Sequence, residues 1–277
     1  MTRVQFTIRT LLVVMALAAL LLAWLATLLH NARKRDADVE LLRKMGAQVE
    51  FRQGGTEAQE DGWRRWLADL TGTDVFAEVS AVHWFGTDDG LEVIARLGTV
   101  EELYLGNGHV TDLGLSTVAQ LHNLRIVDLW GSAITDEGMA AVAKLTRLEV
   151  LYVGNTGISD HGVAHLKACH GLRELHLENT GITDAALRTL STLSHLQWLD
   201  ISGTAITDDG LVYLKDLTEL AVVNLNHTSV SDEGVLQLKG LPSLMRLHLR
   251  GTQCSSSEFE SFKNRTSPGD LFDLGSR

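Results

Sequence analysis

The chain has 277 residues, with 24 basic and 35 acidic side chains, a net charge of −11 and a hydrophobic content of 45%. An acidic chain repels phosphate backbones, which excludes nucleic acid as a partner, and two isolated cysteines, Cys169 and Cys254, give neither a disulfide framework nor a spaced metal motif. The charge is uneven: Arg3, Arg9, Arg33, Lys34 and Arg35 occupy the first 35 residues without an acid, leaving a net of −16 to the remainder.

Residues 11–29 (LLVVMALAALLLAWLATLL) form a 19-residue run without a charge. That is close to the roughly 20 residues a helix needs to cross a bilayer core and longer than the apolar region of a typical signal peptide. His30-Asn31-Ala32-Arg33 offers no small-x-small cleavage site. Residues 1–35 therefore read as an uncleaved, single-pass signal anchor, with a cleaved signal peptide as the alternative. The count of basic residues favours a cytoplasmic C-terminal flank, whereas a basic N-terminal flank sends the following domain outward; the side of the membrane stays open.

Residues 36–78 read as a linker with capping helices. Val39, Leu42 and Met45 recur at threes and Gly46 would end that helix. Residues 52–62 are polar and glycine-rich, a loop signal. Trp63, Trp66, Leu67 and Leu70 then recur at three and four, the pattern of one apolar helix face. That face is expected to cover the open end of the repeats that follow, because a first repeat has no neighbour to bury its flank.

From residue 79 to 265 the chain repeats. Val100, Leu124, Leu148, Leu172, Leu196, Leu220 and Leu244 stand 24 residues apart, and each heads a unit L-x-x-L-x-L-x-x-T-x-I-T-D-x-G-L-x-x-L-x-x-L. With the unit begun at Val79, which reaches Val100 in 21 residues, this makes about eight repeats. The opening L-x-x-L-x-L is a short strand, and stacked strands form a parallel sheet at about 4.8 Å spacing. The expected fold is an α/β solenoid with the sheet concave and the helices convex, preceded by one transmembrane helix. Residues 266–277 lose the period and read as a tail.

Within the unit, position nine is a hydroxyl column (Ser132, Thr156, Thr180, Thr204, Thr228, Thr252), expected to donate to a neighbouring turn. The Ile-Thr-Asp stretch is expected to cap its own helix, with Thr or Asp accepting from free backbone N–H groups. The aspartates in register are therefore assigned to capping rather than to calcium. His161 and His165, four apart on a convex helix, lack a third ligand. No phosphate loop, Walker lysine or nucleophile elbow is present. No cofactor and no metal are expected.

Side chains on the exposed face of the strands are not needed by the core, so their identities carry information. Position five reads Tyr104, Asp128, Tyr152, His176, Asp200, Asn224, His248, and position seven reads Gly106, Trp130, Gly154, Glu178, Ser202, Asn226, Arg250. Tyr104, Trp130 and Tyr152 are expected to form an aromatic cluster, with Gly106 and Gly154 leaving the Trp130 indole uncovered. Tyr104, Trp130, Tyr152, His176, Trp198, Asp128 and Asp200 are the candidate partner-binding residues, because exposed Trp and Tyr serve as anchors. An enzyme built on Asp128, His176 and Asp200 is disfavoured: three repeats separate the two aspartates, about 14 Å by strand spacing.

The repeat is similar to the cysteine-containing class of leucine-rich repeats, with threonine where that class has cysteine. The whole chain resembles a family of membrane-anchored repeat proteins of planctomycete bacteria, through Phe6-Thr7-Ile8-Arg9-Thr10-Leu11-Leu12, Leu41-Leu42-Arg43-Lys44-Met45-Gly46-Ala47 and the T-x-I-T-D repeats. The resemblance implies the fold, a membrane anchor and an interaction role; with the exposed strand positions it makes the expected function a non-catalytic, membrane-anchored scaffold that binds a protein partner on its concave face. A glycan-binding surface protein and an adaptor subunit of a degradation complex are the alternatives. A small molecule is not an expected partner.

Overall fold

A computed structural model describes residues 8–52, 62–255 and 272–273. Its ten strands form one sheet in chain order. The chain opens with helix α1 (Ile8–Lys44), strand β1 (Gln48–Phe51), helix α2 (Gly62–Thr71) and strand β2 (Val79–His83). Helices and short strands then alternate: α3 (Leu91–Leu97), β3 (Glu102–Tyr104), α4 (Asp112–Val118), β4 (Ile126–Asp128), α5 (Asp136–Val142) and β5 (Val150–Tyr152). They continue as α6 (Asp160–Ala164), β6 (Glu174–His176), α7 (Asp184–Leu190), β7 (Trp198–Asp200), α8 (Asp208–Leu211), β8 (Val222–Asn224), α9 (Asp232–Gln237) and β9 (Arg246–His248), with β10 (Phe272–Asp273) beside β9.

Strands β2 to β9 pair in parallel, and from β3 onward each residue faces the one 24 positions on, as in Leu151↔Leu175↔Leu199↔Val223. That column and the column Val100, Leu124, Leu148, Leu172, Leu196, Leu220 are fully buried. Burying one such side chain stabilises by about 1.5–3 kcal/mol, so the 24-residue period is also the period of the core. The shortened first repeat is filled differently. Trp84 is buried, its indole N–H donates to Thr87 O at 2.9 Å, and a Cβ on Gly86 or Gly90 would lie 2.2 or 2.4 Å from its ring.

Strands β3 to β9 are each only three residues long because the chain turns left-handed at position eight. Asn107, Gly131, Asn155, Asn179, Gly203, His227 and Gly251 hold φ between 53° and 71°. Glycine reaches this region freely, and asparagine tolerates it through local hydrogen bonding. The hydroxyl of the next residue seals the turn. Thr180 Oγ1 donates to Leu177 O at 2.6 Å, Thr228 to Leu225 O at 2.7 Å and Ser132 to Leu129 O at 2.6 Å. The hydroxyl column thus binds a carbonyl of its own turn, three residues back, and not a neighbouring turn.

The aspartate column joins one repeat to the next. Asp112 accepts from Thr135 N at 2.9 Å and Thr135 Oγ1 at 2.6 Å, Asp184 from Thr207 N at 2.9 Å and Oγ1 at 2.6 Å, and Asp208 from Ser231 N at 2.8 Å and Oγ at 2.5 Å. Asp88, Asp136, Asp160 and Asp232 do the same. Of the expected Thr or Asp caps, the hydroxyl makes the bond at Thr135, Ser159, Thr183 and Ser231, as in Thr183 Oγ1 accepting from Ala185 N; the aspartate half is corrected, because the carboxylate reaches forward to the next repeat. The glycine of T-D-x-G makes room for it, since a Cβ on Gly210 would lie 2.2 Å from Asp184 Oδ1.

The open end is covered otherwise than expected. Trp66 and Leu70 of α2 are 62% and 67% exposed, so that face does not seal the first repeat. The side chain of Trp63 and residues 53–61 lie outside the described set. The C-terminal part of α1 buries Val39 and Leu42 in the core, Gly46 (φ 97°) reverses the chain, and β1 adds an antiparallel strand to β2. Arg35 ties α1 to the segment before β2 by donating to Ala77 O and Asp74 O. Helix α1 therefore crosses position 35 without a break. Its N-terminal part leaves Leu12 to Trp24 largely exposed, and it is the one helix among the described residues long and apolar enough to cross a membrane or act as a signal sequence.

Candidate functional site

The concave face begins with stacked rings. Tyr104 stacks on His83 (centroids 4.4 Å apart, planes 7°), and Tyr152 stacks on His176 at 4.4 Å, which stacks in turn on Trp198 at 6.0 Å. Asp128 separates the two groups in the register of β3, β4 and β5. Tyr104, Trp130 and Tyr152 therefore do not form one cluster. A position-five ring meets the ring of the next strand only where that strand also carries one, and β4 carries Asp128 instead.

Trp130 turns the other way. Its indole N–H donates to Glu178 Oε1 at 2.7 Å, a partner 48 residues on, and the ring remains 37% exposed. Gly154 lies under this bridge, and a Cβ there would meet Glu178 Cδ at 2.3 Å. Gly106 likewise makes room for the Asp128 carboxylate, 3.0 Å from its would-be Cβ. Beyond leaving the indole partly uncovered, these glycines accommodate carboxylates. Glu178 stands in the position-seven row and is not among the candidate residues. The signal was there, as the one carboxylate of that row beside a glycine on the preceding strand.

The two candidate aspartates hold turns. Asp128 Oδ1 accepts from Trp130 N at 2.9 Å, and Asp200 Oδ1 from Ser202 N at 2.9 Å and Ser202 Oγ at 2.7 Å. Asp200 Oδ2 accepts from Asn224 Nδ2 at 2.7 Å. Burial pushes the Asp128 carboxyl above its ordinary range against the opposing Trp130 N–H, and burial with the Glu102 hydrogen bond pushes the Tyr104 hydroxyl up to about 12. Of the enzyme-like trio, His176 and Asp200 are register partners, and Glu178 joins them. Asp128 sits two strands away on β4. His161 and His165 are solvent-exposed on the convex side.

A leucine-rich-repeat family profile matches residues 120–143 and 192–215. The chain is similar to the solved structure of an internalin, InlF, of Listeria monocytogenes (TM-score 0.56, 25% identity), over 67% of this chain and 51% of that one, so it spans about half the length of that protein. It is also similar to an internalin C2 (InlC2) of the same organism, with TM-score 0.58 and 24% identity over 70% of this chain and 81% of that one. No curated protein sequence matches it. The repeats, the parallel sheet and these likenesses agree: the fold is a leucine-rich-repeat solenoid with an apolar N-terminal helix.

Proposed function

We propose that this protein is a non-catalytic, single-pass interaction module, anchored in a membrane through residues 11–29, that binds a protein partner on its concave face around Trp130, Tyr152, His176 and Trp198. The observation that carries the reading is Trp130: a large ring left 37% exposed at the middle of the sheet and held in one orientation by Glu178. A fixed aromatic side chain loses little entropy on binding and supplies a large contact area, which is what an interface anchor requires. Solenoids offer such extended concave surfaces to partners. The planctomycete-like motifs of the sequence are consistent with the same reading.

Crosslinking capture from native membranes, comparing wild type with Trp130→Ala/Tyr152→Ala, tests it. A protein captured by wild type and lost with the double variant supports the concave face. Equal capture by both refutes it.

A further inference from the structure

We propose that His176, Glu178 and Asp200 form a binding site for one divalent transition-metal ion of the zinc type on the concave face. One ligand atom from each residue lies within 4.8 Å of the other two. Strand geometry makes the set: His176 and Asp200 are partners across β6 and β7, and Glu178, two residues beyond His176, projects to the same side.

Two features distinguish this place from an ordinary cluster of surface acids. Glu178 Oε2 is buried with no hydrogen-bond partner, and the only other such side-chain atom among the described residues is Nε1 of Trp198, whose ring stacks on His176. A buried carboxylate oxygen left unsatisfied is costly, and a cation there removes that cost. Two of the donors, Glu178 and His176, are also already held in place. Trp130 fixes the other oxygen of Glu178 at 2.7 Å, as outer partners of metal ligands do. Gly154 leaves room for the carboxylate, and the ring of His176 is held between Tyr152 and Trp198. Among the described residues no protein group bonds either ring nitrogen of His176.

The donor set selects the ion. Calcium and magnesium take oxygen ligands. One imidazole and two carboxylates suit zinc, which in open sites takes three protein ligands and keeps a further position. At metal–ligand distances of about 2.0–2.2 Å the donors stand roughly 3.3–3.5 Å apart, so binding draws this set inward. The surplus of acid in the domain raises the local concentration of cations.

Isothermal titration of the purified full-length chain, stripped with chelator and titrated with zinc chloride and then with magnesium chloride, tests the site without a partner, so its outcome is separate from that of the capture experiment. Expected are one zinc ion per chain, a rise in Tm with zinc and no comparable response to magnesium. Glu178→Gln and His176→Asn are each expected to weaken zinc at least about tenfold, and Trp130→Phe about tenfold through the lost orienting bond. His161→Ala/His165→Ala leaves binding unchanged. Circular dichroism melts without metal verify that the variants are folded. Absence of zinc binding by wild type overturns the proposal, and so does wild-type affinity in the folded His176→Asn/Glu178→Gln double variant.

Discussion

Asp136 is the sharpest test of how the repeats are held together. Its carboxylate accepts from Ser159 N at 2.7 Å, Ser159 Oγ at 2.5 Å and Gly162 N at 2.9 Å, all in the next repeat. Hydrogen bonds to a charged group contribute about 1.5–3 kcal/mol each, but this carboxylate is only half-buried and water replaces part of the loss. Asp136→Ala is therefore expected to cost about 2–4 kcal/mol. Asp136→Asn should cost about 1 kcal/mol, because an amide oxygen can keep both N–H donors, which share Oδ1. Burial raises the pKa of this carboxyl, the Ser159 and Gly162 donors lower it more, and the net shift is downward. Its contribution is then fully present above the unfolded value of about 3.9 and is lost as pH falls through the lower folded value. Urea unfolding followed by circular dichroism at pH 7 and downward to about pH 3 reads both effects. The gap between wild type and Asp136→Ala should narrow as the solution is acidified below about pH 4. A gap under about 0.5 kcal/mol at pH 7, or one that stays constant with pH, would refute the carboxylate link between repeats.

Further outcomes follow from the same geometry. Leu199 is fully buried, so Leu199→Asp places an unpaired charge in the core and should cost more than about 4 kcal/mol; an unchanged melting curve would discard the repeat register. Gly154→Ala puts a methyl 2.3 Å from Glu178 Cδ, and in fluorescence it should free the Trp130 indole and make it easier to quench; an unaltered Trp130 signal, isolated by difference from Trp130→Phe, contradicts the bridge. Cys169 is fully buried and burial pushes its thiol up to about 11, so in a Cys254→Ser background at pH 8 it should react with a disulfide reagent at least about 100-fold more slowly than in urea; fast labelling of that folded variant would place Cys169 outside the core.

Much of this architecture is written in the period. A leucine every 24 residues forces equivalent side chains into one column, and a column of leucines leaves water only by stacking on itself. Strand, turn and helix positions, the core list and the exposed face therefore follow from one dimension, as does the apolar length of residues 11–29. The left-handed turn was legible too, in the Asn/Gly column at position eight, although His227 breaks its chemistry without breaking its conformation.

Tertiary structure decided which polar groups meet. The Asp184 carboxylate could cap its own helix or reach the next one, and sequence spacing permits both; the glycine of the following repeat leaves the space that selects the second. Trp130 could stack on the tyrosines flanking it, yet bonds Glu178 two repeats away because Gly154 leaves the intervening strand bare. Trp66 and Leu70 have the spacing of a buried face and remain exposed, because the end of α1 and β1 had already covered the first repeat. The physical reason is common to all three. Apolar burial is non-directional and sums along the chain, so a repeating pattern determines it. A hydrogen bond or a ring contact needs two groups within a few tenths of an ångström and at the right angle, and only the packed solenoid sets those distances.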